Sequence, residues 1–594
     1  MSVPRPVPNP LRPGRLNPRR LNSSESNSSG PEAGALSRVT RTARRLALVC
    51  IPALAITLAV SPSAAATSVP AQKPVTKAFA DVELRHAILA SLARRSDAQG
   101  TDSSLPTLAK FYEEPDSPLL WVANGAATPR AHAFVDILRG ARNDVLEPDD
   151  YGTELLARQL DASTTRELAH LEIVLSDARV RYTRHLAAGR VHPNRVNPEV
   201  VINPKAPDPL SVFTNFVAAT DVRAFVQTFE PQTPRYARLR DALTRYRALA
   251  EAGGWPQTTT GDLLKEGMAD AERVATIRQR LEISGDLSPS AHAGDIYNGE
   301  LVAAVKRFQA RHGLGVDGIV GDNTVAQLNV NAAERVRQLE LNMERRRWME
   351  DDLGDYYVFV NLADQYLKVV VKQDGREKTA HTALTVVGKT FHRTHVFSRY
   401  MSYIVINPSW NVPRSIAMSE FLPKLRRDPG VFAEANIRLV RAERDVDPYS
   451  IDWQRVTQRS FSWQLQQRPG ENNALGEVKF MFPNRFNVYI HDTPAKHLFA
   501  KALRAFSHGC VRVQHPFDLA EVLLGRQGMR RDEIEELRAS REERVVTLRR
   551  RIPVHVKYLT AWTNKDGSMH FRRDVYERDK ILNKALVNAH PRPI

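Results

Sequence analysis

The apolar residues of this chain keep one period through much of its first half and another through much of its second, so more than one core is required. From about Phe79 to Trp255 they recur every three or four residues, as in VELRHAILASLARR and ELAHLEIVLSDARVRYTRHLAAG. That is the spacing of helices with one buried stripe. From Tyr356 they alternate, as in YYVFVNLADQYLKVVVKQDG and SRYMSYIVINPSW, which is the spacing of strands. At 594 residues and roughly 150 residues per domain, length calls for about four domains. The expected fold class is multidomain α+β. A helical scaffold covers 79–260, a small helical unit 262–332 and a β-rich domain 355–562, with a C-terminal extension over 563–594.

Hydrophobic residues are 42% and charged residues 25% of the chain, which excludes a wholly disordered chain and a multi-span membrane protein. A net charge of +17 suits nucleic acid, an anionic envelope polymer or a membrane surface. Residues 1–45, however, hold nine arginines and two acids, so seven of those charges sit in one arm. The arm is rich in Pro, Asn and Ser, cannot bury enough surface to offset its chain entropy, and is expected to be disordered. After Arg44-Arg45 comes LALVCIPALAITLAV, residues 46–60, then Ser63-Ala64-Ala65-Ala66. A basic flank, a short apolar core and small residues at a cleavage position form the pattern of a secretory signal over 46–66. The run falls short of the roughly 20 residues that span a bilayer; the alternative is a retained membrane anchor through residues 46–60. Either way the chain is exported to the periplasm or cell envelope, and nucleic acid loses its main support as a partner.

Two cysteines exclude a disulfide scaffold and any multi-cysteine zinc or iron–sulfur site. Cys50 lies in the leader and reads as a small hydrophobe. Cys510 is then a lone thiol in an oxidising compartment, which calls for a reason.

Its neighbours supply one. Tyr489-Ile490-His491-Asp492 reads as a strand delivering His491; fifteen residues loop away, and Ser507-His508-Gly509-Cys510 follows. A thiol of ordinary pKa about 8.5 is mostly protonated at neutral pH and needs an imidazole or a positive environment to become a nucleophile. His491 can take its proton and pass it to a leaving amine. Gly509 lets the backbone approach a ligand and aim the Gly509 and Cys510 amides at a developing oxyanion. Asp492, Ser507 or His508 could orient the base or complete the hole.

Around this centre, Asp374-Gly375 reads as a hairpin turn, a charged helix is expected near 530–546 and a strand over 553–562. Residues 415–475 interrupt the strand series and read as an inserted cap. In ELVAAVKRFQARHGL, Leu301, Ala304, Val305 and Phe308 form one helical stripe, and Asp322 or Asn323 is placed to cap the next helix. The arginines of 79–255 read as solvated helix faces.

The histidine, the spacer and Ser-His-Gly-Cys resemble the signature of the L,D-transpeptidase family. Asn407-Pro408-Ser409-Trp410-Asn411-Val412-Pro413, Leu475-Gly476 with Lys479-Phe480, Phe482-Pro483-Asn484 and His491-Asp492-Thr493-Pro494 are worded as in its large Gram-negative branch. Phe308-Gln309, Gly313-Leu314, Asp317-Gly318, Gly321, Thr324 and Leu328-Asn329 resemble the three-helix peptidoglycan-binding domain. The resemblance implies Cys510 as nucleophile, His491 as proton donor and acceptor, and Ser507, His508 and Gly509 shaping the pocket. The implied substrates are peptidoglycan stem peptides as donor and acceptor, with release of D-Ala and 3→3 cross-links, no metal or cofactor, and acylation by carbapenems. Arg512 stands where many members have Asn, and is expected to hold a substrate carboxylate through its planar fork. Tyr403, Trp410, Tyr489 and Asp492 are further candidates for substrate contact. Three other readings are weighed against this one: a zinc hydrolase using His491, His497, His508, Cys510 and His515; a non-catalytic wall-binding protein; and the same chemistry with water or a lipoprotein lysine as acceptor.

Overall fold

The computed structural model describes residues 75–95, 104–289 and 294–589, within one compact unit. The basic arm and the 46–66 leader lie outside these residues. Among the described residues no helix is long and apolar enough to cross a membrane.

The helical region is organised by α1 (Thr165–Ala188), which starts with a capping box between Thr164 and Glu167. It is buried on nearly every side, and its charged residues Glu172, Asp177 and Arg179 are internal. Glu172 accepts from the Tyr112 hydroxyl at 2.5 Å and the Trp121 amide at 3.0 Å. Arg179 lies 3.9 Å over the Phe216 ring and is fully buried. The solvated-face reading fails at that arginine because aromatic faces replace its water.

Three helices, α2 (Ala271–Ile283), α3 (Gly299–Arg311) and α4 (Asp322–Leu328), enclose a separate small core around Leu301, Val305 and Phe308. Gln309 Nε2 donates to Asp317 at 2.8 Å, and its Oε1 accepts from the Gly318 amide at 2.8 Å. The motif residues of this unit therefore hold its own turn together. Neither Asp322 nor Asn323 caps α4; Gly321 stands at the cap position. The Asn323 carbonyl instead accepts from Arg573 at 2.6 Å.

A connecting helix, α5 (Ala332–Arg347), packs on the helix Pro234–Glu251 and on a hairpin formed by Ala561–Thr563 and Met569–Phe571. It leads into a nine-stranded sheet. Its strands are β1 (Tyr356–Asn361), β2 (Tyr366–Gln373), β3 (Arg376–Gly388), β4 (Phe397–Ile406), β5 (Val478–Met481), β6 (Ile490–His491), β7 (Ala505–Ser507), β8 (Val511–Val513) and β9 (Arg544–Lys557). Their order is β7-β3-β8-β6-β5-β4-β9-β1-β2, and β2 also pairs with β3, so the sheet closes on itself. Asp374 and Gly375 both have positive φ, as a two-residue hairpin turn between β2 and β3 requires. The multidomain α+β class is the one observed.

Two elements differ from expectation. The charged helix ends at Ala539, and Arg541 turns the chain with φ of 55°. The last strand then begins at Arg544 and ends at Lys557, because pairing with β4 starts at Arg544 opposite Ile406. Its first half is charged and exposed, so partner pairing, not hydrophobic pattern, makes it a strand. Beyond the hairpin, Tyr576, Leu582 and Leu586 join the main core.

Between β4 and β5 the chain forms a second sheet from 410–411, 437–441, 444–446 and 464–467. It has its own core of Phe421, Leu425, Phe432, Trp453, Phe461 and Leu465.

Candidate active site

One face of the sheet is apolar. Ile404, Ile406, Val478, Phe480, Ile490, Val511 and Val513 all point into the main core. Strand alternation sends their neighbours to the other face, and register lines them up. Lys479 on β5 lies opposite His491 on β6, and His491 lies beside Arg512 on β8. Because β6 and β8 run parallel with Ile490 beside Val511, Cys510 arrives at the mouth of β8 next to the strand that carries His491. Tyr403 shares this face further along β4, opposite Met481.

Cys510 is half-buried. Its thiol donates to the Asn487 carbonyl at 3.6 Å. Burial pushes the thiol up, opposed by hydrogen bonds from the Tyr489 amide and hydroxyl and by the Lys479 and Arg512 cations. Lys479 Nζ sits 4.4 Å over the Tyr489 ring and is pushed down by burial, with Cys510 acting in the other sense. Burial and Cys510 push the Tyr489 hydroxyl up, with the Trp410 indole acting in the other sense, which sets Trp410 of the second sheet beside the residue that acts on the thiol. Arg512 is pushed down by burial, again with Cys510 opposing. Its Nε has no hydrogen-bond partner among the described residues.

His491 is buried, and its Nδ1 donates to the Asp492 carbonyl at 2.5 Å. Burial first, then Arg512 and Lys479, push it down to about 3, against the Asp492 and Leu475 carbonyls. It is therefore neutral at pH 7, the form that can accept a proton. The group that orients His491 is thus the backbone of Asp492. The Asp492 carboxylate, expected at the substrate, is buried instead; it accepts from the Glu477 amide at 3.0 Å and from Lys496. Gly476 makes room for it: a Cβ there would lie 2.3 Å from Asp492 Cγ, at φ of +62°.

The Ser-His-Gly-Cys turn is tied from within. Ser507 Oγ donates to the Cys510 carbonyl at 2.5 Å and accepts from the Gly509 amide at 3.1 Å. The Gly509 amide is therefore engaged, which leaves the Cys510 amide as the turn's candidate oxyanion donor. Gly509 has φ of +114°, a conformation that side chains rarely adopt. His508 points the other way, with Nε2 2.8 Å from Glu420 Oε1 on the second sheet's side. His497 stands on the short turn Lys496–Ala500 and His515 at the head of the helix Pro516–Gly525. Among the described residues no three His, Cys, Asp or Glu side chains converge as metal ligands would.

Residues 355–546 match the L,D-transpeptidase catalytic domain family. The resemblance read from the motif thus holds over this domain. Residues 270–328 match a peptidoglycan-binding domain and 106–243 a scaffold domain. A Haemophilus influenzae protein named "Putative L,D-transpeptidase" is 32% identical over 253 residues, which are 42% of this chain and 50% of that protein. The chain thus spans about half the length of the curated relative it matches. The crystal structure of an L,D-transpeptidase from Xylanimonas cellulosilytica aligns with 51% of this chain and 98% of that one, at 15% identity and a TM-score of 0.14. A fused Zn-dependent amidase/peptidase/peptidoglycan-binding protein from Clostridium acetobutylicum aligns with 50% of the chain and 99% of its own, at 12% identity and the same score.

Lys479, Asn487 and Glu420 were not among the residues expected from sequence. Lys479 left two signals, its place in the Lys479-Phe480 wording of the resemblance and its alternation with buried Val478 and Phe480; the others meet the site only through tertiary structure.

Proposed function

We propose that the chain is a cell-wall L,D-transpeptidase working on peptidoglycan stem tetrapeptides. Cys510 attacks the carbonyl of the third stem residue, the terminal D-Ala leaves, and the side-chain amine of a diaminopimelate in a neighbouring stem attacks the thioester. The product is a 3→3 cross-link. The observation that carries this reading is the register that sets Ile490 beside Val511 and His491 beside Arg512 on parallel strands, with Cys510 immediately before Val511.

The resting pair is a protonated thiol and a neutral imidazole, so the proton moves to His491 as the sulfur–carbon bond forms, and from there to the departing amine. Lys479, Arg512 and the Tyr489 hydroxyl favour the thiolate as it develops. The Cys510 amide serves the oxyanion; removing such a donor costs roughly 2.7–4 kcal/mol in acyl-transfer enzymes. The free edge of Arg512 suits the donor carboxylate. The thioester conserves the bond energy, so the chemistry calls for no metal or cofactor. Export through 46–66 to the cell envelope, and acylation of Cys510 by carbapenems, go with this reading.

Incubating the exported chain with a purified disaccharide-tetrapeptide, followed by mass spectrometry, tests it. Expected products are cross-linked dimer and D-Ala, both lost in Cys510→Ala while sacculus binding persists. Tripeptide as the sole product would make water the acceptor. A folded protein with neither acyl-enzyme nor meropenem adduct would make it a non-catalytic binding protein.

A further inference from the structure

Two imidazoles lie close to Cys510 in the fold, His491 on the strand beside β8 and His508 two residues earlier in the same turn, and the reaction above uses one. His491 is buried toward Asp492 and Leu475, with Nδ1 on a backbone carbonyl. His508, two residues before the cysteine, faces the opposite flank and is about one-third exposed. Its Nε2 lies 2.8 Å from Glu420 Oε1, and Glu420 belongs to a π-helical turn, Ala417–Phe421, of the second sheet's subdomain. A carboxylate on Nε2 fixes the hydrogen there, so that Nδ1 carries the lone pair. The wall beside this pair is the segment after β3. The Lys389 amide donates to the Ser507 carbonyl at 2.9 Å, and the His392 ring centre is 5.0 Å from that of His508.

We propose that His508, held by Glu420 from the cap, is the base that deprotonates the incoming amine in the second half of the reaction, with Glu420 as its positioning residue. This rests on the transpeptidase reading. In the step, the acceptor ammonium first loses one proton to solvent; the amine nitrogen then bonds to the thioester carbonyl carbon, the carbon–sulfur bond breaks, and the second amine proton passes to His508 Nδ1. His508 gives that proton to the departing thiolate, which restores both the thiol and the neutral imidazole. Glu420 places one negative charge beside the entry of a cationic acceptor side chain, among the cations Lys389 and Arg512 that also act on His508. Because Glu420 reaches the turn from an inserted subdomain, the acceptor base is assembled only with the cap in place.

The groups facing His508 set its response to pH. Burial, then Lys389, His392 and Arg512, push it down, and Glu420 pushes it up. Removing the Glu420 charge therefore moves the protonation of His508 to lower pH and makes it a weaker base. The test is Glu420→Gln, with Glu420→Asp beside it, in rapid-quench mass spectrometry with the disaccharide-tetrapeptide from pH 5 to 9. Acylation and transfer are read separately, and melting temperature controls for folding. The expected result is a transfer step slowed more than about tenfold relative to acylation, so that acyl-enzyme accumulates. Its acid limb moves to lower pH, and Glu420→Asp restores part of the rate. Equal loss in both steps, or a lower transfer rate with the acid limb unmoved, would show that Glu420 only holds the cap and would overturn the assignment. A wild-type chain that forms no acyl-enzyme would overturn the reaction itself, and this step with it.

Discussion

Lys479 adds to the site a positive charge that the cysteine–histidine pair does not itself provide. It stands opposite His491 across two strands, and its ammonium lies on the Tyr489 ring. Together with Arg512 it opposes the burial that pushes the Cys510 thiol up. Replacing it by methionine keeps the stem on the sheet and removes the charge. Lys479→Met is therefore expected to slow alkylation of Cys510 by iodoacetamide severalfold at pH 7 and to move the midpoint of the alkylation–pH curve upward. Mass spectrometry across a pH series measures both, and an unmoved midpoint would mean that Arg512 and Tyr489 suffice. The same scale shows what could be read in advance. Cys510, His491 and Gly509 were legible because their chemistry is written in one short turn and one strand. Asp492 was misassigned because only the fold shows that Gly476 opens a buried hole for its carboxylate. Glu420 left no local signal; it lies 88 residues before the His508 it touches.

At the scale of elements, the inserted subdomain is separable in its packing and joined in its chemistry. Its core is distinct from the sheet's core, and its two ends meet where the Val412 amide donates to the Leu465 carbonyl at 2.9 Å. Closing that gap with Asn-Gly, a two-residue hairpin turn, removes 413–464. The shortened chain should keep the far-UV circular dichroism of the closed sheet and an alkylatable Cys510, while losing transfer to an amine acceptor. Loss of cooperative unfolding in this variant would show that the sheet depends on the cap. Sequence marked this insertion because it broke the strand series. It missed the start of β9, where Arg544–Thr547 pair with β4 ahead of the exposed arginines 549–551. Period-reading fails wherever a strand has one exposed, charged half.

Across the whole molecule, several cores share one vulnerability. His185 in the helical region and His491 in the sheet are pushed down to about 3, and His555 and His570 to about 4, burial being the first cause in each. His312 in the three-helix unit is pushed down the same way. Each folded-state value lies below the ordinary value of about 6.5. Below that pH the unfolded chain binds protons that the folded chain does not, so stability present above about pH 6.5 is lost as pH falls toward the folded values. Glu172, Glu344 and Asp579, pushed up by burial, act in the opposite sense, because their folded forms hold protons longer as pH rises. The two contributions separate by substitution. The urea midpoint should fall steadily from pH 7 to pH 5, and His555→Gln should flatten that slope whatever it does to the midpoint at pH 7. His555 is suited to the comparison: it is held by the Leu353 carbonyl at 3.0 Å and Ser398 at 2.9 Å, contacts an amide can partly replace. With buried histidines in the helical region, the small unit, the sheet and the hairpin, the loss should appear as a lower midpoint for the whole compact unit, without one domain melting ahead of the rest. A urea midpoint that stays level from pH 7 to pH 5 would show that the buried carboxylates balance the histidines.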